Sequence, residues 1–71
     1  MRVRVCLDTL DDVKKFVAIT NNIEWPIFLQ DESGLSVSAK SLLGAIYTME
    51  WDEVWCYCEK DISGKIFSFI V

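Results

Sequence analysis

The segment Val37–Ile46, which reads VSAKSLLGAI, decides how this chain is expected to fold. Val37 and Ala39 alternate with serines at the two-residue period of a strand, whereas the residues from Ser41 onward place apolar side chains at helical spacing. The segment therefore predicts a strand that turns at a polar corner into a short helix. Because a helix that is apolar on most of its circumference cannot bury every face in so small a chain, we expect part of it to contact a partner.

The composition describes one small globular domain, residues 1–71, in which 52% of the residues are hydrophobic and 25% are charged. A net charge of -4 argues against binding to nucleic acid or to an anionic membrane and favours a protein partner. The apolar runs are too short to cross a membrane, and the first residues lack the apolar region of a signal peptide. We therefore expect a cytoplasmic protein.

The three cysteines, Cys6, Cys56 and Cys58, do not have the spacing of a disulfide framework. There is no CxxC pair, and the chain contains no histidine that could complete a zinc site. The pattern predicts three small buried side chains in a reducing compartment rather than redox or metal chemistry. No metal ion or cofactor is therefore expected.

The first third of the chain has the pattern of a strand followed by a helix. Residues 1–7 alternate apolar and polar side chains, which predicts a strand with one buried face. Thr9 followed by Asp12 has the spacing of a capping box and predicts the start of an amphipathic helix. That helix is expected to end at Asn21-Asn22.

Three more strands are predicted in the rest of the chain. Ile23 to Gln30 and Leu35 to Ala39 should form a hairpin around a turn at residues 31–34. Val54 to Glu59 should form a further strand, in which the alternation directs two aromatic residues away from two cysteines. Those aromatic residues are expected on the outer face of the sheet.

Ser33-Gly34 and Val37–Gly44 resemble the HPr family, the histidine-containing phosphocarriers of the bacterial sugar phosphotransferase system. The matching residues correspond to that family's hairpin turn, third strand and regulatory-serine helix, and the resemblance extends over most of the chain. The carrier histidine of the family would fall around Leu7 to Asp11, but this chain contains no histidine. The chain is thus most similar to the catabolite-repression relatives of HPr, which lack the carrier histidine and keep the regulatory serine.

The resemblance implies an α+β fold, an open-faced two-layer sandwich of four mainly antiparallel strands with the helices on one face. The implied order is β-α-β-β-α-β-α, which includes a helix within residues 62–71. Asp61 as a cap and isoleucines at four-residue spacing permit that helix, although the β-branched and aromatic content of the segment is also typical of a strand. We predict a short helix there.

The second strand leaves a choice of register. An ungapped match to the family would turn Phe28 and Gln30 toward the core, whereas the apolar pattern favours Ile27 and Leu29. A slip by one residue would send a glutamine amide into the core, so we follow the apolar pattern and assume one extra residue in the turn.

The sequence lacks the parts of an enzyme active site. It has no histidine for a nucleophile–base pair and no glycine-rich phosphate loop. The adjacent acids Asp11-Asp12 and Asp52-Glu53 are interpreted as a helix start and a solvated loop rather than as a catalytic pair. We expect a protein that is not an enzyme.

The first hypothesis for its function is a non-catalytic regulatory domain related to the phosphotransferase system. In this hypothesis Ser41 is the phosphorylation site, and the resemblance implies a serine kinase or a transcriptional regulator as the protein partner. The residues expected to contact that partner flank the starts of the two helices: Lys40, Leu42, Leu43, Ile46, Thr9 and Leu10.

The second hypothesis is a small interaction or oligomerisation module, including a possible homodimer, that uses the exposed sheet face. Its interface would consist of alternating strand residues, namely Arg2, Arg4, Phe28, Trp55 and Tyr57. The arginines on that face could instead hold the aromatic rings through cation–π contacts. In either case Ser41 would be an ordinary helix-start serine. A phosphocarrier that uses another residue is a third alternative.

Overall fold

The computed structural model describes all 71 residues as a four-stranded sheet with two α-helices. The six elements are β1 (Arg2–Val5), α1 (Leu10–Thr20), β2 (Ile27–Gln30), β3 (Ser36–Ser38), α2 (Leu42–Tyr47) and β4 (Val54–Cys58). Two 3₁₀ helices, Thr48–Glu50 and Phe67–Phe69, complete the chain. The strands pair antiparallel in the order β1-β4-β2-β3, which confirms the α+β class and the antiparallel sheet.

The inner face of the sheet forms one side of the hydrophobic core. In β4 the residues Val54, Cys56 and Cys58 are buried, and they alternate with two half-buried aromatic residues on the other side. In β2, Ile27 and Leu29 are buried, so the register that the apolar pattern favoured is confirmed. The sheet therefore has one face packed on the helices and one face without a covering layer.

Helix α1 covers the inner face and begins with the predicted capping box. The Thr9 hydroxyl accepts a hydrogen bond from the Asp12 backbone N–H at 3.1 Å, and the Asp12 carboxylate accepts one from the Thr9 N–H at 3.3 Å. Phe16 is fully buried on this helix and meets Phe69 edge to face, with ring centroids 5.3 Å apart. Burial of a phenylalanine of this kind stabilises the fold by about 1.5–3 kcal/mol.

The corner between β3 and α2 is tied to the end of α1. The buried Thr20 hydroxyl donates to the Ala39 carbonyl at 2.8 Å, and the Asn21 side-chain amide donates to the Lys40 carbonyl at 3.0 Å. Gly44 allows α2 to lie close to β3, because a Cβ there would be only 3.3 Å from the Ser38 carbonyl oxygen. These contacts set the position at which α2 begins.

The helix predicted within residues 62–71 is present only as one 3₁₀ turn, so the final α-helix of the implied order is absent. Phe67–Phe69 forms one turn of 3₁₀ helix, and Ile70 then pairs with Val5 as an antiparallel bridge. The physical reason lies at the edge of the sheet, where β1 has backbone groups without a neighbouring strand. The extended end of the chain satisfies them: the Cys6 N–H donates to the Phe69 carbonyl at 2.8 Å, and the Val71 N–H donates to the Arg4 carbonyl at 3.1 Å.

The cysteines divide into two buried residues and one exposed residue. Cys56 and Cys58 are buried as predicted, but the expectation that Cys6 is buried is wrong. Cys6 follows the last residue of β1 with the parity of the outer face, so its side chain points away from the core. No helix of the structure is long and apolar enough to cross a membrane.

Candidate interaction surfaces

Ser41 lies where the sequence placed it, at the start of α2. It is the N-cap residue, and its Oγ accepts a hydrogen bond from the Gly44 backbone N–H at 3.1 Å. The residue is exposed, and the first turn of α2 contains no acidic side chain. The hydroxyl therefore has a structural role as a cap and is at the same time open to solvent.

Lys40 precedes Ser41 but its ammonium group serves the fold. The Nζ atom donates a hydrogen bond to the carbonyl oxygen of Ile23, in the connection between α1 and β2. The side chain is half-buried, and its backbone carbonyl is also occupied by the Asn21 amide. Lys40 thus stabilises this end of the molecule through a hydrogen bond to Ile23.

Helix α2 presents large apolar side chains to solvent. We define the α2 surface as Leu42, Leu43 and Tyr47 of α2 together with Met49 of the 3₁₀ helix that follows it; Leu43 is 79% exposed and Tyr47 is 55% exposed. Ile46 was expected to contact a partner, but it is half-buried against the core and only partly accessible. The sequence analysis missed Tyr47 and Met49 as site residues. The four-residue spacing of Leu43 and Tyr47 is the signal that places them on one side of the helix.

The start of α1 carries the other two predicted contact residues. Thr9 is exposed and engaged in the capping box, and Leu10 is exposed beside it. A cleft of about 280 Å³ brings Asp8, next to this helix start, together with Met49 of the α2 surface. The segment that leads into α1 and the segment that follows α2 therefore border the same cleft.

The start of α1 is an acidic environment. The Asp8 carboxylate, as a hydrogen-bond acceptor and as a negative charge, raises the pKa of the Cys6 thiol, and the charge of Asp12 acts in the same direction. Asp11 is partly compensated by an ion pair with Lys15 at 3.0 Å. A further negative charge, such as a phosphoryl group, would be repelled here.

The second predicted surface lies on the opposite layer of the molecule. We define the outer sheet face as Arg2, Arg4, Phe28, Trp55 and Tyr57. The register places Arg2 and Phe28 on either side of Tyr57, and Arg4 opposite Trp55. The sheet thus brings together all five residues that the sequence assigned to this face.

Some side chains of the outer sheet face already contact other side chains of the same molecule. The guanidinium carbon of Arg2 lies 4.4 Å from the centroid of the Trp55 ring. Glu53 connects the other arginine to the same ring, because its carboxylate lies 3.7 Å from Arg4 and accepts a hydrogen bond of 3.4 Å from the Trp55 indole N–H. These contacts hold Trp55 on the outer sheet face, and the contact with Arg2 is of the cation–π type that the alternative described.

No cluster of three or more acidic or cysteine side chains has the geometry of a metal site. Burial, followed by the neighbouring Cys58, raises the pKa of the Cys56 thiol to about 12, so this sulfur stays protonated at neutral pH. The α2 surface and the outer sheet face are two accessible features of the molecule.

No protein-family model, curated protein or solved structure matches this chain. The case for a function therefore depends on the residues and surfaces described above. The α2 surface and the outer sheet face are distinct, since one lies on the helical layer and the other on the far side of the sheet.

Proposed function

We propose that this chain is a non-catalytic, HPr-like regulatory domain of the cytoplasm that binds a protein partner through the α2 surface. Ser41 is its regulatory phosphorylation site, and the domain has no histidine phosphocarrier activity. The observation that carries the proposal is the group of exposed apolar side chains on α2 next to an exposed serine hydroxyl. The antiparallel sheet and the two packed helices are compatible with the resemblance to HPr.

The exposed apolar side chains on α2 give a partner a place to dock. Each large aliphatic side chain that becomes buried contributes about 1.5–3 kcal/mol, and Leu43 leaves 79% of its surface exposed in the free domain. A partner that covers the α2 surface gains this energy. Several such side chains on one helix of six residues are more than scattered surface hydrophobics.

Phosphorylation of Ser41 would change what this surface binds. A phosphoserine carries about two negative charges near neutral pH. Because the Lys40 ammonium is hydrogen-bonded to the Ile23 carbonyl, the phosphate would have no cation of its own at this position. A partner that supplies arginines would gain affinity, and a partner that buries Leu42 without a compensating cation would lose it.

The experiment that tests this proposal treats the protein with an HPr-specific serine kinase and locates phosphate by mass spectrometry. We expect one phosphate on Ser41 in the wild type and in Ser38→Ala, and none in Ser41→Ala. Ser38 is a matched control because it is an exposed serine whose hydroxyl also accepts a backbone hydrogen bond, from Lys40. An unmodified Ser41 would contradict the regulatory role.

Binding is tested separately with a catabolite-repression transcriptional regulator of the kind that binds HPr. We expect Leu43→Ser to weaken the complex by about tenfold or more, the equivalent of losing one buried leucine. Leu35→Ser is the control, because Leu35 is also an exposed leucine but lies in the β2–β3 turn. Equal affinity of both variants would remove the α2 surface from the proposal.

A second candidate function is an interaction or oligomerisation module that uses the outer sheet face. The observation that favours it is the exposure of Phe28, 38% of whose surface is accessible in the middle of a strand. Size measurements over a range of concentrations, on the wild type and Phe28→Ser, test for a homodimer. A concentration-dependent dimer that the substitution abolishes would support this candidate over the first.

A further inference from the structure

A hollow of about 260 Å³ opens on the outer sheet face, lined by Trp25, Pro26, Phe28, Tyr57 and Glu59. We propose that this aromatic hollow is a binding site for a cationic side chain, an arginine or a lysine, of a partner protein. The site lies on the layer opposite α2. It does not depend on phosphorylation of Ser41.

The sheet itself builds the hollow. Phe28 of β2 and Tyr57 of β4 are direct cross-strand neighbours, so their rings stand side by side in the centre. Pro26 precedes β2, where its missing N–H does not interrupt the ladder. Trp25 is 43% exposed at one margin, and Glu59 follows the last residue of β4. Three aromatic rings and one carboxylate therefore converge on a single cavity.

Two aromatic rings that flank the central pair already have a cation of this chain over them. Arg2 lies over Trp55 at 4.4 Å from the ring centroid, and Lys60 lies over Trp25 at 4.9 Å. The two central rings of the aromatic hollow have no cation of this chain over them. The outer rings, those of Trp55 and Trp25, thus each have a cation over them, whereas the central rings, those of Tyr57 and Phe28, have none.

The charge of the lining selects a cation for the position over these central rings. Glu59 forms no ion pair, and no lysine or arginine is among the residues that line the hollow. A cationic group inserted here would meet the electron-rich faces of the rings and a carboxylate at once. An uncharged apolar group would bury the carboxylate without a partner, which has an energetic cost.

The shape favours one long side chain. Pro26 and Trp25 provide an apolar wall against which the methylene groups of a lysine or arginine can pack while the charge reaches Glu59. The protein has a net charge of -4, which also favours approach by a basic partner. The sequence analysis did not single out Trp25 or Glu59, because the two residues lie 34 positions apart and meet only when β2 pairs with β4.

The test is an NMR titration of the isotope-labelled protein with four blocked tripeptides. Two are cationic, acetyl-Gly-Arg-Gly-amide and acetyl-Gly-Lys-Gly-amide, and two are neutral isosteres with citrulline or norleucine in the central position. We expect the cationic peptides to shift the Trp25 indole and Tyr57 ring resonances at least about threefold more than their neutral counterparts at equal concentration. Equal shifts with neutral peptides, or none with any peptide, would overturn the proposal.

Three variants locate the effect. Glu59→Gln and Tyr57→Leu should each weaken the response to the cationic peptides by about two- to fivefold, the size of one exposed cation–π or charge contact. Glu32→Gln removes an exposed carboxylate outside the hollow and should leave the response unchanged. Backbone amide spectra establish that each variant is folded. A Glu59→Gln response equal to wild type would overturn the assignment of the carboxylate.

Ser41→Ala separates this site from the proposed regulatory function. The variant should bind the cationic peptides as the wild type does, because the aromatic hollow and α2 lie on opposite layers. If Ser41 were shown not to be phosphorylated, the cation site would still stand. A Ser41→Ala protein with an altered response in the hollow would contradict the independence of the two sites.

Discussion

The starts of α1 and α2 both use a hydroxyl to cap a helix, but they differ in how that hydroxyl is held. At α1 the Thr9 cap is reciprocal, since Asp12 returns a hydrogen bond to the Thr9 N–H. At α2 the Ser41 hydroxyl accepts one hydrogen bond from Gly44 and receives no side-chain bond in return. The cap of α1 therefore consists of two reciprocal hydrogen bonds, whereas the cap of α2 consists of a single side-chain hydrogen bond.

The surroundings of the two starts extend this difference. Two acidic residues, Asp11 and Asp12, lie in the first turn of α1, whereas the first turn of α2 has none. Helix α1 has 11 residues anchored in the core by a fully buried Phe16, and α2 has only six residues. Similar capping residues therefore have different uses: one start stabilises a helix, and the other also leaves a hydroxyl open to modification.

The largest difference between the two helix starts is expected in a test of whether the start of α1 can accept a phosphoryl group. We expect no acid-labile label when the protein is incubated with the phosphoenolpyruvate-dependent enzyme that loads HPr. The chain has no imidazole to accept the group, and the carboxylates of Asp8, Asp11 and Asp12 would repel it. An authentic HPr in the same reaction is the positive control. Stoichiometric transfer to this chain would contradict the prediction.

The next largest effect should be seen in stability. Thr9→Ala removes one member of a reciprocal pair and should lower the free energy of unfolding by about 1–2 kcal/mol. Ser41→Ala should lower it by only about 0.5–1 kcal/mol, because one hydrogen bond at a short helix is lost. Urea denaturation measures both values. Thr9→Ser keeps a hydroxyl and serves as the control. A larger loss for Ser41→Ala than for Thr9→Ala would reverse the comparison.

The alkylation rate of the Cys6 thiol is a measure of the negative charge at the start of α1. The pKa of this thiol is raised by Asp8, so the native protein holds less of the reactive thiolate than a free cysteine does at the same pH. Asp8→Asn removes the charge and should lower the pKa, which should raise the rate of alkylation at pH 8 by about twofold or more. Glu32→Gln is a charge-matched control. An unchanged rate in Asp8→Asn would mean that the carboxylate does not control this thiol.

The smallest effect is expected for Ser41→Asp. Aspartate is as good an N-cap as serine, so the free energy of unfolding should change by less than about 0.5 kcal/mol. Amide shifts should change only around the start of α2, since the first turn has no acidic side chain to repel the new charge. Denaturant titration and amide spectra measure these effects together. A loss above about 1 kcal/mol would show that this helix start does not tolerate negative charge.

Local patterns in the sequence were sufficient to predict the elements that their own residues specify. The Thr9 capping box, the position of Ser41 at the start of α2 and the inward direction of Leu29 all follow from spacing within a few residues. Hydrogen bonds between a cap and the next turn, and the two-residue period of a strand, are short-range properties. The presence of all four strands and of both α-helices could therefore be predicted from the sequence.

The tertiary structure decided the features that depend on distant partners. The end of the chain forms one 3₁₀ turn and then an extended bridge, not an α-helix, because Ile70 pairs with the free edge of β1, 65 residues away in sequence at Val5. The Lys40 ammonium is committed to Ile23 because the corner before α2 folds against the end of α1. The aromatic hollow exists only because β2 and β4 are neighbours in the sheet. Each of these outcomes depends on which backbone groups lack a partner after the sheet has formed, and that is a property of the assembled fold.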